Sequence, residues 1–142
     1  MSLRAVLDTN VFIGACLGVG ACNQVVAASL HGKYQPLMGS TLFAEHEAVL
    51  GRDPFFEGCR LSRVERAELL DIYLSKCEWT RIYYGWRPNL RDEADNHLLE
   101  LAVAGGAHYL VTRNMRDFVA RQLSFQGLQI LTPEKFLKEL TL

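Results

Sequence analysis

A chain of 142 residues has the length of one ordinary domain, 1–142, and a hydrophobic content of 49% can build a sizeable core. Charged residues, at 22%, argue against disorder, and a net charge of −1 supplies no global basic field, so a nucleic acid would have to be met by a local basic patch. Cysteines at 16, 22, 59 and 77 match no paired zinc spacing and read as reduced thiols of a cytoplasmic protein; Asp8 and Asn10 interrupt the first apolar run as a leader, and no run reaches the roughly 18 residues of a membrane span.

Arg4-Ala-Val-Leu-Asp8 reads as a short buried strand ending on an acid. Gly14, Gly18 and Gly20 loosen the next stretch, and residues 21–30 carry apolar side chains at helical spacing, with Gly32 as a stop. Residues 34–38 form a second strand, Gly39-Ser40-Thr41 offers cap chemistry, and 41–50 is a helix. Residues 52–58 break the chain around Pro54 and Gly58, and Ser62 with Glu65 spells a capping box for a helix to about Leu74. A third strand is expected over 80–84, then a loop over 85–90, and a helix from Asp92 to Ala104 stopped by Gly105-Gly106. Residues 108–112 are an apolar strand, 114–119 a short helix or turn, 128–131 a last strand, and Thr132-Pro133-Glu134 starts a final helix. This alternation predicts an α/β fold, a three-layer α/β/α sandwich with a mostly parallel central sheet.

Acids occur where strands end or helices begin, and a parallel sheet would gather those points at the carboxyl edge where ligands collect. Asp8 serves there either as a ligand or as a helix cap. Glu45 lies in an amphipathic helix and is either a ligand or a solvated surface acid, with Glu47 as an alternative and His46 as a further ligand or a polar surface residue. Asp92 and Asp95 are three apart on one helix face; the helix dipole alone explains Asp92, whereas Asp95 lies close to the apolar face of Leu98, Leu99 and Ala102. Thr112, Asn114 and Asp117 follow the fourth strand and point to the same edge or form a turn. Asn10 is placed to hold the Asp8 loop. Asp92-Glu-Ala-Asp95 also spells a helicase box, but the phosphate-cradling glycine loop of a motor is absent from the sequence.

Taken together, Leu7-Asp-Thr-Asn-Val-Phe12, Glu45-His-Glu-Ala-Val-Leu50, Arg91-Asp-Glu-Ala-Asp-Asn96 with Leu98-Leu-Glu-Leu-Ala102, Tyr109-Leu-Val-Thr-Arg-Asn114 with Asp117-Phe118, and Ile130-Leu-Thr-Pro-Glu-Lys-Phe136 resemble the PIN-domain ribonucleases, and within them the PIN-type toxins of bacterial toxin–antitoxin modules. The resemblance spans nearly the whole chain and rests on the order and spacing of motifs that are individually unspecific. It implies a PIN-like parallel sheet between helices, Mg2+ or Mn2+, and cleavage of RNA. Asp8, Glu45 and Asp95 match the three family acids, and Asp92 a second acid of this branch. A fourth family acid commonly falls where Asn114 stands, so Asp117 is expected to supply that charge, and the departure bears on a second metal. The resemblance also implies a cognate antitoxin and a homodimer, with Phe55 and Phe56 as candidate contacts.

The chemistry fits such a site. Divalent ions that prefer oxygen ligands polarise a phosphoryl oxygen and acidify bound water. Arg81, Arg87 and Arg91, interleaved with Tyr83, Tyr84 and Trp86, suit single-stranded RNA, as do Arg113 and Arg116 beside the other acidic stretch; a solvated mixed-charge surface is the alternative. Two rivals stand beside the nuclease. One is a haloacid dehalogenase-type phosphatase, which needs an acid where Asn10 stands. The other is a non-catalytic RNA-binding or interaction module that kept the fold.

Overall fold

The computed structural model describes residues 3–82, 93–115 and 127–141, and the side chains of all of these except 93–96. Ala5, Val6 and Leu7 of the first strand, β1 (Arg4–Leu7), have no solvent exposure. Burial on both faces is the mark of an inner parallel strand. The chain continues through α1 (Thr9–Cys16), α2 (Gly20–Leu30), β2 (Gln35–Met38), α3 (Ser40–Leu50), a 3₁₀ turn (Asp53–Phe56), α4 (Arg63–Lys76), β3 (Glu78–Trp79), α5 (Glu93–Ala104), β4 (Tyr109–Val111), β5 (Gln129–Leu131) and α6 (Pro133–Leu140).

The five strands form a parallel sheet in the order β3-β2-β1-β4-β5, with Val6 opposite Leu110, Leu37 opposite Glu78, and Leu110 opposite Ile130. Helix α5 covers β1, β2 and β4, while α4 packs on β2 and α6 on β4 and β5, giving the expected three-layer α/β/α sandwich. Arg4 at the start of β1 donates from Nε to the Gly105 carbonyl at 2.9 Å and pairs through its guanidinium with Glu78. The end of α5 therefore lies at the beginning of β1, and the start of α5 points towards the opposite, carboxyl edge of the sheet.

Local signals behave as their chemistry requires. Ser62 Oγ accepts from the Glu65 amide at 3.1 Å and Glu65 Oε1 accepts from the Ser62 amide at 2.8 Å, a reciprocal box that holds the Glu65 carboxyl below its ordinary value. Thr132 Oγ1 caps α6 through the Lys135 amide. Gly106, at φ 64°, takes the left-handed turn that ends α5. The four cysteines are free thiols.

Three expectations change. The third strand is Glu78–Trp79, with 80–82 beyond its end, and 83–84 lie outside the described residues. Met38 pairs with Trp79, and β2 stops there because Gly39 turns into α3, so among the described residues the ladder ends with the bond from the Thr80 amide to the Met38 carbonyl. Residues 9–16 are helical rather than loose, and Gly14 serves close packing: a Cβ there would lie 2.6 Å from Cys22 Sγ and 3.1 Å from Arg113 Nη1, so it lets α2 cross tightly over α1. His46 is fully buried instead of sitting on the surface. The expected loop over 85–90, Asp92, and most of the segment 114–119 lie outside the described residues.

Buried Arg66 fixes the far end of α3. Its Nε and Nη2 donate to the Leu50 carbonyl at 3.4 and 3.3 Å, Nη1 to Leu61, and Nη2 to Asp53 at 2.8 Å, while the guanidinium lies 4.2 Å from the Phe56 ring centre. A cation at a helix carboxyl end meets the negative pole of the helix dipole. Phe56 is buried by this contact and Phe55 stays exposed.

Gly14→Ala should destabilise the protein. Overpacking costs about 1–3 kcal/mol, and the better helix propensity of Ala returns up to ~1 kcal/mol. Urea unfolding should show a lower midpoint at unchanged slope; a midpoint equal to or above that of the wild type would mean that α2 does not need this approach.

Candidate functional site

The strand order reverses beside β1: the chain fills β1, β2 and β3 on one side, then crosses to β4 on the other. In open parallel sheets the crevice outside the carboxyl ends at such a switch point is where ligands bind. Here the residues in that crevice are Asp8, directly after β1, and Thr112, directly after β4.

Asp8 occupies the N-cap position of α1 with extended backbone, but its side chain makes no capping bond. It turns to the next strand instead. Thr112 Oγ1 donates to Asp8 Oδ2 at 2.8 Å, and Asn10 Nδ2 donates to the same oxygen at 3.2 Å. Thr112 has one hydroxyl proton, so it accepts the bonds that Asn10 Nδ2 and the Asn114 amide send to it, at 3.3 and 3.0 Å. Asn10 Oδ1 accepts from the Arg113 amide at 3.1 Å. Asp8 is 8% exposed and Thr112 fully buried, so this network orients a carboxylate that would otherwise be costly to bury. Asn10 and Thr112 thus support Asp8, and the turn after β4 is built onto the same bonds.

Glu45 is half-buried on α3, which packs against α1 and α5. Its neighbour His46 ties α3 to the residue after Asp8: Nδ1 lies 2.9 Å from the Leu42 carbonyl and 3.2 Å from Thr9 Oγ1. A carbonyl only accepts, so Nδ1 carries the proton. The ring packs edge-on to Phe12 at 5.5 Å, and Nε2 has no hydrogen-bond partner among the described residues. His46 is therefore a spacer between α1 and α3 rather than a surface ligand. Burial pushes its pKa down to about 4, against the smaller opposing effect of its bond to Leu42. The sequence signal for this role was only its i+4 spacing from Leu42 on the apolar side of the helix.

Asp95 lies in the first turn of α5, which points to the carboxyl edge; its side chain is outside the described set, as are Asp92 and Asp117. Asn114 is exposed beside the Thr112 turn. Among the described residues no three His, Cys, Asp or Glu side chains form a metal-binding group. The donor set nevertheless suits magnesium or manganese: all its candidates are oxygen donors, and Asp8 is aimed by two neutral hydrogen-bond donors, as metal-binding carboxylates are. Asp8, Glu45 and Asp95, the three acids that the resemblance implies, are the residues that could hold such an ion.

Arg81 follows β3 and Arg113 follows β4, both exposed, so basic side chains stand on either side of Asp8 along the carboxyl edge. Arg87, Arg91 and Arg116 lie outside the described residues, with Tyr83, Tyr84 and Trp86. Trp79, which the basic patch read from sequence omits, is half exposed at the end of β3.

A family model described as PIN domain matches residues 4–116. No curated protein matches the sequence. Among solved structures the chain is similar to VapBC2 from Rickettsia felis, bound to a DNA fragment from their promoter, with 18% identity, 92% of this chain and 98% of that chain covered, and a TM-score of 0.61. It is similar too to PAE2754 from Pyrobaculum aerophilum, with 14% identity, 99% and 90% covered, and a TM-score of 0.62. At such identities the likeness is one of fold.

The geometry makes two outcomes testable. Thr112→Val keeps the shape but removes the hydroxyl, leaving Asp8 Oδ2 one donor short and the Asn114 amide without its acceptor; the expected loss is about 1–3 kcal/mol in chemical unfolding, and an unchanged midpoint would deny the network its role. His46 takes a proton in the unfolded chain below about pH 6.5 but in the folded chain only near pH 4. Its contribution to stability is complete above pH 6.5 and is lost as pH falls to 4, by roughly 3 kcal/mol. The difference in unfolding free energy between wild type and His46→Gln should shrink over that window; a constant difference would mean that His46 titrates alike in both states.

Proposed function

The chain belongs to the PIN domain family, and from that premise we propose that it is a Mg2+- or Mn2+-dependent endoribonuclease serving as the toxin of a toxin–antitoxin pair. The observation that carries this reading is the carboxylate of Asp8, held by Thr112 and Asn10 at the switch point instead of capping α1. Any buried acid needs donors; these two, one from α1 and one from the turn after β4, also fix a single orientation, as the outer partners of metal-ligating carboxylates do.

In this reading Asp8, Glu45 and Asp95 hold the ion, and Asp92, Asn114 and Asp117 complete its surroundings. When bound, the ion polarises a phosphoryl oxygen and lowers the pKa of a coordinated water. The protein's own share is orientation. Thr112 and Asn10 fix Asp8, the His46–Thr9 contact sets α3 against α1, and the exposed guanidinia of Arg81 and Arg113, joined by Arg87, Arg91 and Arg116, attract the phosphates of RNA on either side of the acids. The likeness to VapBC2 supports a protein partner, an antitoxin; a function in the cytoplasm and a homodimer are part of the same proposal. One observation favours a second reading, a non-catalytic RNA-binding module: Asn114, an uncharged amide, stands at the turn where a further acid would serve a second ion.

Cleavage of single-stranded and structured RNA by wild type and Asp8→Asn, with manganese and then with chelator, tests the reading. Manganese-dependent cleavage, abolished by chelator and slowed at least about a hundredfold in Asp8→Asn, is the expected result, with both proteins unfolding at similar temperature. Wild-type protein that binds RNA but never cleaves it would leave the binding module as the function.

A further inference from the structure

At the end of β3 lies a cavity of about 430 Å³ lined by Ser40, Thr41, Trp79, Thr80, Arg81 and Ile82. We propose that it is a subsite for one unpaired RNA nucleotide, with the base stacked on Trp79 and a phosphate held by Arg81. This rests on the ribonuclease reading and deepens it by stating how a single strand is gripped.

Three features carry the inference. Trp79 is 52% exposed, although a large indole gains more from burial than almost any other side chain. Its position is not loose: its backbone pairs with Met38 in the ladder, and its ring meets Phe43 at 5.5 Å in a T-shaped contact. A half-exposed aromatic on a fixed backbone is a platform, and bases stack on such platforms whatever their sequence. Second, the lining joins that platform to one guanidinium and the hydroxyls of Ser40, Thr41 and Thr80, with Ile82 as apolar wall. An aromatic face, a cation and neutral hydrogen-bonding groups together match a nucleotide's base, phosphate and ribose. Third, the placement is right for a neighbour of the scissile group. β3 lies two strands from β1, and strands are about 4.8 Å apart, so the end of β3 stands roughly 10 Å along the edge from Asp8. Ser40 and Thr41 also begin the helix that carries Glu45. A strand of RNA lying along this edge would present successive phosphates to Arg81 and to the acids.

The test uses the full chain carrying Asp8→Asn, so that RNA survives with manganese present, and a short single-stranded oligonucleotide. Trp79→Ala should weaken binding about tenfold, within the range expected for loss of one stacked base, while Trp79→Phe stays within about threefold. Arg81→Gln should lower the slope of log affinity against log salt by about one. With Trp86→Phe added, Trp79 is the remaining tryptophan of the two in the sequence, and its emission should be quenched as RNA binds. An oligonucleotide with abasic positions should bind more weakly, with no further loss in Trp79→Ala. Unchanged emission, or Trp79→Ala binding within twofold of its parent, overturns the subsite. If wild type still cleaves RNA with manganese in that case, the nuclease reading survives without it. If wild type neither binds nor cleaves, both fall.

Discussion

The bond from Thr112 to Asp8, 2.8 Å long and closed across 104 positions of sequence, joins the two strands that meet at the switch point. Neither strand could orient the carboxylate alone. Asp8 reaches Thr112 only because β4 lies beside β1, and β4 lies there only because the chain has crossed over the strands already laid down. A buried acid without donors costs several kcal/mol, so an incomplete sheet has an incentive to finish. The site and the fold are therefore formed by the same contact. The Asn10 amide extends the arrangement, bonding to Asp8 and Thr112 with its nitrogen and to the Arg113 amide with its oxygen. A single residue thus aligns the start of α1 with the turn after β4.

Helix α3 is constrained at three points for a related reason. Its first turn starts directly from β2 at Gly39, where a Cβ would approach Leu101 to 3.2 Å. Its middle is held by His46 against Thr9 and Phe12. Its last carbonyl receives two bonds from Arg66. Each restraint uses a different interaction, namely close packing, a buried neutral hydrogen bond and a cation at the helix dipole. Together they set the rotation and the axial position of the helix that carries Glu45. A small hard ion with ligand distances near 2.1 Å tolerates little error in either, so supports of this kind matter more here than they would for a loose surface contact.

Strand and helix order was legible from residues alone because each element carries its own signal: the apolar runs around Val6 and Leu110, the Ser62–Glu65 box, Thr132-Pro133, and the glycine pair after Ala104. What the residues hid was relational. The third strand looked better over 80–84, where aromatic and branched residues cluster, yet its position is decided by where β2 ends. Gly14 read as a break because its reason, the sulfur of Cys22 crossing above it, lies on another helix. His46 read as surface because its partner is Thr9, far away in sequence. For the site, the residues placed Asp8, Asn10 and Thr112 at one edge, but whether Asp8 caps its helix or faces β4 is a question of one side-chain direction that no spacing answers.

That direction also weighs on the phosphatase alternative. Such an enzyme requires a second acid two residues after the nucleophile, in the position of Asn10. Here the position is filled by a group whose nitrogen donates to Asp8 Oδ2 and to Thr112 and whose oxygen accepts from a backbone amide. A carboxylate could keep the last of these bonds but not the first two, since it has no proton to give. It would also stand about 3 Å from Asp8, where two like charges repel unless one is protonated. The amide therefore gives Asp8 a neutral donor where a second carboxylate would repel it. An aspartate that is oriented and has an amide in place of that acid partner is poorly prepared for in-line phosphorylation and better suited to face a cation.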